Sequence, residues 1–96
     1  MKLFVLVRRD LSESYRAVQA GHAVAEFLLR HPETQWDNGT LVYLGVNDEK
    51  DLSKWSNKLD VRRIEYEMFN EPDIGDQDTA LACVGNDRVF KSLKLL

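Results

Sequence analysis

The residues with the clearest chemical potential surround the stretch AVQAGHA at positions 17 to 23. Tyr15, Gln19, His22 and Glu26 follow the spacing i, i+4, i+7 and i+11, so in a helix they line up along one side. All four side chains can form hydrogen bonds. Two interpretations are open: Gln19 and His22 belong to a reaction site, or they are half-buried and bonded by the backbone or by Glu26.

A second polar segment, FNEPDIGDQD, covers residues 69 to 78. It combines Pro72 and Gly75 with several carboxylates, including Glu71 and Asp73. This composition predicts an irregular acidic loop, the kind of element that carries functional residues on a rigid scaffold.

Several familiar catalytic motifs are missing from the chain. The sequence has no G-x-S-x-G turn, no glycine-rich phosphate loop and no C-x-x-C pair, and neither of its two histidines lies in an H-E-x-x-H motif. A zinc site and a serine-hydrolase site are therefore not predicted.

Length and composition indicate one domain with a single small hydrophobic core. The 96 residues carry a net charge of −3, which argues against general electrostatic binding of nucleic acid. The bases group along the chain, and two interpretations are open: they form a local basic face, or they lie at solvated strand and helix ends. No run approaches the roughly 20 apolar residues of a membrane span. The N-terminal segment does not resemble a signal peptide, and the single cysteine, Cys83, among apolar neighbours predicts a buried, reduced thiol. A cytoplasmic protein is expected.

Hydrophobic patterning predicts the first half of the fold. The apolar run Lys2 to Arg8 is typical of a strand covered on both faces. Asp10, three residues before Glu13, is predicted to cap a helix that ends before Pro32. Small and apolar residues cover most of this helix, so we expect Gly21 to permit close packing against the sheet. A strand over Leu41 to Val46 follows, and a right-handed crossover makes it parallel to the first.

The second half is predicted as helix, strand, loop and strand. Asp48 is placed to cap a helix that runs to about Leu59. The alternation from Ile64 to Met68 indicates a strand with one wet face, and Thr79 to Val84 is rich in residues of buried strands.

VRRDL followed by AVQAGHA resembles the peptidyl-tRNA hydrolases of the archaeal and eukaryotic type, in which a strand, an R-x-D-L turn and a helix with A-A-Q-x-x-H-A follow one another. Gln19, His22 and Ala23 match that spacing. Trp36 and Gly39 are similar in position to residues that the family often has before its second strand, and the ending SLKLL is similar to its L-K-L-L terminus.

The resemblance implies a three-layer α/β fold in which helices cover both faces of a mixed four-stranded sheet, and a homodimer. It also implies hydrolysis of the ester between peptide and tRNA, with no metal and no organic cofactor. Two positions depart from the family pattern. Tyr15 stands where the family has lysine, with Arg16 beside it. The family's D-x-G-x-T-Q signature is matched only in part, by Asp73, Gly75 and Gln77 when the loop is shortened.

Roles for the site residues follow from this resemblance and from the needs of ester hydrolysis, which are a positioned water, an acceptor for its proton and donors for the oxyanion. Asp73 is expected to orient the water, with Glu71 as the other candidate carboxylate. Tyr15 or Arg16 would supply a hydrogen bond to the carbonyl oxygen or to a phosphate, and Gln19 and His22 would support the site.

Arg8 and Arg9 are expected to bind the tRNA backbone, in a mode that weakens with salt. The chief alternative is a catalytically degenerate homologue that binds tRNA, a nucleotide or a protein. A third possibility is a dimeric interaction protein with no RNA role.

Overall fold

The computed structural model describes residues 1–96, which form four strands and two helices. Strand and helix alternate twice, and the last two strands form a hairpin. The elements are β1 (Lys2–Arg8), α1 (Glu13–Arg30), β2 (Thr40–Val46), α2 (Glu49–Val61), β3 (Tyr66–Glu71) and β4 (Gln77–Gly85), with a single 3-10 turn at Pro72–Ile74 between the last two strands.

The strands form one mixed sheet in the order β2-β1-β4-β3. β1 is parallel to β2 and antiparallel to β4, and β3 is antiparallel to β4. The predicted parallel pairing across the first helix is therefore confirmed. β1 and β4 occupy the centre of the sheet, which explains why their sequences are apolar on both faces.

The two helices pack on opposite faces of this sheet. Leu3, Val5 and Val7 of β1 form one hydrophobic cluster with Ala20, Ala23 and Phe27 of α1, together with Ala80 and Ala82 of β4. Phe4 and Leu6 of β1 form a second cluster with Leu52, Trp55 and Leu59 of α2. The predicted three-layer α/β architecture with helices on both faces is confirmed.

Cys83 lies in β4 within the α2-side cluster and is fully buried, as predicted. Burial raises the pKa of its thiol to about 12.

Three helix ends were predicted from the sequence, and the structure confirms two of them. Asp48 Oδ1 accepts a 2.9 Å hydrogen bond from the amide of Asp51 and so caps α2 as predicted, and α1 ends at Arg30, before Pro32. The predicted cap of α1 by Asp10 is wrong. The N-cap residue is Ser12, which makes no side-chain cap bond, and the Asp10 carboxylate is instead paired with the guanidinium of Arg8.

The exposed face of α1 differs from the prediction. Gly21 is exposed, and a Cβ added there would find no atom within 4 Å. Ala17 and Val18 are exposed as well. Only one side of α1 reaches the sheet, because nothing packs on the outer surface of this layer, so Gly21 has no close-packing role.

Half of the predicted acidic loop, residues 69–71 and 77–78, is strand. β3 continues to Glu71 and β4 begins at Gln77, which leaves residues 72–76 outside the strands. Gly75 and Asp76 have φ angles of 76° and 58°, and these left-handed conformations turn the chain between the strands. Backbone pairing across the hairpin overrides the weak strand preference of its Glu, Asn and Asp residues.

The C-terminal residues cover the outer edge of β2. Leu95 forms a bridge with Leu44, the amide of Gly45 donates to the carbonyl of Lys94, and the amide of Leu96 donates to the carbonyl of Tyr43, both at 3.0 Å. Neither helix is both long enough and apolar enough to cross a membrane.

Candidate functional site

Gln19 lies at the centre of a buried hydrogen-bond network that joins α1 to the β3–β4 hairpin. Its side chain is fully buried. The amide Nε2 donates to Oε1 of Glu71 at 2.9 Å, and the carbonyl Oε1 accepts from the hydroxyl of Thr79 at 2.6 Å. Both ends of the amide are therefore satisfied, one by the candidate carboxylate Glu71 and the other by Thr79.

Glu71 is the last residue of β3 and is 8% exposed. The hydrogen bond from Gln19 is the main factor that lowers the pKa of this carboxyl, helped by the backbone amide of Asp73, the nearby His22 and the Tyr15 hydroxyl, and opposed by desolvation. Glu71 is therefore an ionised acceptor at neutral pH, held at the end of the sheet where the chain turns.

Tyr15 lies on the first turn of α1 beside this carboxylate. Its hydroxyl donates to Oε1 of Glu71 at 3.4 Å, a long hydrogen bond. Desolvation, followed by the negative charges of Glu71 and Asp73, raises the pKa of the phenol. At neutral pH Tyr15 is therefore a neutral hydrogen-bond donor beside Glu71.

His22 is exposed, and the expectation that it is half-buried is wrong. Its ring stacks on Phe69 of β3 with centroids 4.4 Å apart and planes within 6°. Glu26 does not bond to it, because its carboxylate pairs with Arg30 at 2.7 Å. The helical stripe thus divides: Tyr15 and Gln19 contact Glu71, His22 covers the adjacent aromatic ring, and Glu26 belongs to the surface.

Asp73 lies in the turn after Glu71 and is exposed. It is close enough for its charge to act on Tyr15. Of the two candidate carboxylates, Glu71 is thus the one joined by hydrogen bonds to the helix motif, and Asp73 stands at the solvent side of the same turn.

The guanidinium groups of the three N-terminal arginines are engaged within the chain. Arg8 is buried and binds both carboxylate oxygens of Asp10, together with the Gln77 side chain at 2.8 Å. Arg16 donates to the carbonyls of Leu11 and Arg9. The guanidinium of Arg9 donates to the carbonyl of Leu95 at 2.7 Å. These groups organise the β1–α1 loop and the C-terminal residues, and none of them hydrogen-bonds to the Glu71 carboxylate.

Thr79 is the member of the network that the sequence analysis did not select. It is fully buried at the start of the apolar run of β4. A hydroxyl at a position predicted to be buried requires a hydrogen-bond partner. A threonine in the predicted buried strand could therefore have indicated a polar contact at this position.

One other group has the donor set of a cation site. Nδ1 of His31 lies 3.2 Å from a carboxylate oxygen of Glu65 and 3.6 Å from one of Glu33, while Nε2 lies 3.0 Å from Glu67. His31 follows the end of α1, whereas Tyr15 lies at its beginning. This group joins the end of α1 to the start of β3 and takes no part in the network around Glu71.

No protein-family model matches the chain. No curated protein matches it significantly. Among solved structures, the chain is similar to a protein of unknown function from Agrobacterium tumefaciens strain C58, with a TM-score of 0.72 over 99% of this chain and 96% of that one. The two sequences are 14% identical, so the likeness shows the shared fold alone.

Proposed function

We propose that this chain is a peptidyl-tRNA hydrolase-like enzyme that cleaves the ester between a peptide and tRNA, with Glu71 as the working carboxylate. The observation that supports this proposal is the hydrogen bond from Gln19 to Glu71. It joins the glutamine of the helix motif, which carries the family resemblance, to the turn in which the second family signature is matched only in part.

In the proposed reaction, Glu71 accepts a proton from a water molecule whose oxygen attacks the ester carbonyl carbon. The tetrahedral intermediate then collapses with cleavage of the bond to the ribose oxygen, which takes up the proton and leaves as a hydroxyl. Tyr15 donates a hydrogen bond to the carbonyl oxygen as negative charge develops on it. Gln19 holds the carboxylate in place and is itself held by Thr79, so both are positioning residues.

A second candidate function is tRNA, nucleotide or protein binding without turnover. It is favoured by the lack of a cation that hydrogen-bonds to Glu71. The guanidinium groups of Arg8, Arg9 and Arg16 donate to other groups of the chain. The donor that the first turn of α1 places beside Glu71 is the neutral phenol of Tyr15. A phenol stabilises an oxyanion less than an ammonium does.

The test is turnover of a blocked aminoacyl-tRNA by the purified protein, with Glu71→Gln and Asp73→Asn compared under the same conditions. We expect Glu71→Gln to abolish release of the blocked amino acid and Asp73→Asn to reduce it less. Exposed Glu33→Gln serves as the matched control and should leave the rate unchanged.

Binding of tRNA is measured in parallel at low and at physiological salt. Binding without turnover would overturn the hydrolase proposal in favour of the second candidate. Absence of both would exclude an RNA role and leave the interaction protein.

A further inference from the structure

The strongest unassigned feature is a basic cavity on the face of the sheet opposite to Glu71. It has a volume of about 530 Å³ and is lined by Lys58 of α2, by Arg62 directly after α2, and by Arg88 and Lys91 of the segment after β4. No acidic residue lines it. The volume lies within the usual range for small-molecule sites.

The four cations of this cavity have no carboxylate partners. None of them forms an ion pair, although acidic residues lie near them in sequence. Asp60 accepts from the hydroxyl of Tyr66, and Asp87 pairs with Lys2 at 2.7 Å. The four exposed cationic side chains thus line one cavity with no carboxylate of the chain bound to them, so an anion that enters it meets positive charge without a competing partner.

The dipole of α2 explains the position of only two of the four cations. Lys58 and Arg62 lie at the C-terminal end of α2, where cations are favoured by the helix dipole. Arg88 and Lys91 do not belong to the helix, so the dipole does not explain their convergence on the same cavity.

The two walls are held together by the core. Phe90, between Arg88 and Lys91 in sequence, is buried with its ring centroid 5.7 Å from that of Trp55. Trp55 also lines the cavity, and the ammonium of Lys58 lies 4.4 Å from its ring centroid. The cationic groups are thus carried on anchored backbone, which reduces the ordering cost of binding.

We propose that this cavity binds a compact organic diphosphate or triphosphate of the nucleotide class. Four positive charges match the charge of two or three phosphates better than that of a single phosphate, and Arg and Lys are the usual phosphate donors. Trp55, Val61 and Val89 give the cavity an apolar part for the organic body. The proposal goes beyond the ester-hydrolase function and does not rest on it, because the cavity and Glu71 lie on opposite faces of the sheet.

The experiment measures binding of ADP, inorganic pyrophosphate and adenosine to the whole protein by titration calorimetry at low and at physiological salt. Arg88→Gln with Lys91→Gln removes the charge of one wall, and Lys58→Gln with Arg62→Gln removes that of the other. Lys50→Gln with Lys54→Gln is the matched control, because these two exposed lysines lie on the same helix outside the cavity. All three double variants are checked for an unchanged fold by circular dichroism.

We expect ADP and pyrophosphate to bind with one-site saturation, to raise the melting temperature and to bind at least tenfold more weakly to each wall variant. The control variant should change affinity less than twofold, and Glu71→Gln should not change it. Trp36→Phe leaves Trp55 as the only tryptophan, and its emission should change on binding.

Four outcomes would overturn the proposal: no binding at low salt, equal weakening in the control variant, adenosine binding as tightly as ADP, or wall-dependent binding of a short RNA with none of ADP or pyrophosphate. Because ADP binding is measured without any ester substrate, a failure here leaves the hydrolase proposal standing. Lack of turnover likewise leaves this proposal standing.

Discussion

The Nε2 atom of Gln19 in α1 donates a 2.9 Å hydrogen bond to Oε1 of Glu71 at the end of β3, across 52 positions of sequence. With Thr79 on its other side, this one amide joins the helix to both strands of the hairpin. The position of the carboxylate therefore depends on the helix, and the packing of the helix depends on an amide that must remain bonded.

Replacing Gln19 by leucine should destabilise the protein, because the Thr79 hydroxyl loses its acceptor and Glu71 loses its main buried donor. We expect the free energy of unfolding to fall by about 1 to 3 kcal/mol, measured by urea denaturation. Gln35→Ala, at an exposed position, is the control and should change it little. Equal stability of the two variants would contradict the network described here.

The lowered pKa of Glu71 predicts a specific pH dependence. The pKa in the folded protein lies below its ordinary value of 4.5, so the stabilisation by this carboxylate is fully present above that pH and is lost as pH falls through the folded value. In Glu71→Gln this acid-side loss of stability should be smaller. Urea midpoints between pH 3 and pH 7 measure it, and an equal acid-side loss in the parent and in Glu71→Gln would contradict it.

Tyr15→Lys tests whether the missing cation limits the proposed chemistry. An ammonium beside Glu71 would stabilise developing negative charge more strongly than the phenol does, so cleavage of peptidyl-tRNA should increase. Adding Glu71→Gln to this variant should remove the gain. If Tyr15→Lys binds tRNA and still cleaves nothing, the lack of a cation at position 15 is not what prevents cleavage.

At Gly21 the structure predicts that an added side chain stabilises the protein, whereas the close packing expected from the sequence would make it destabilising. Because the position is helical, exposed and open, Gly21→Ala should stabilise the protein by about 0.5 to 1 kcal/mol. Gly45→Ala is the contrasting variant: its Cβ would displace the guanidinium of Arg9, which would lose its hydrogen bond to the Leu95 carbonyl, so this variant should be destabilised. Thermal melts of the two variants should therefore shift in opposite directions.

Cys83 should resist thiol reagents in the native protein. Its side chain is buried and its pKa is raised to about 12, so almost no thiolate exists at pH 8. Labelling by a disulfide reagent should be slow in buffer and complete at once in denaturant. Fast native labelling would mean that β4 opens without global unfolding.

The parts of the fold that could be predicted from the sequence depend on local signals. The apolar run of β1, the Asp48 cap and the stop before Pro32 each lie within a few residues of the structure they specify. The hairpin could not be predicted in this way. Residues 69–71 and 77–78 adopt strand conformation through pairing between β3 and β4, and no local propensity of Asn70 or Asp78 indicates it.

The sequence indicated which residues belong to the site better than it indicated which of them contact one another. Tyr15, Gln19 and Glu71 were candidates from the sequence, and the structure brings them together. Their arrangement depends on which face of α1 meets the sheet, and the even distribution of small residues around the helix conceals that face. His22 and Gly21 were misplaced for this reason. Asp10 was assigned to a cap because its pairing with Arg8 depends on the loop between them.

The C-terminal residues on β2 limit how copies of this sheet can join edge to edge. An open-ended stack of sheets needs two free edges on every copy, and here the backbone groups of Tyr43 and Gly45 on the β2 edge are already occupied. The remaining edge is β3, and pairing of β3 with a second β3 uses up the free edge of both copies. Residues 94–96 therefore block continuous pairing along β2 at Tyr43 and Gly45, and β3 is the edge that they leave open.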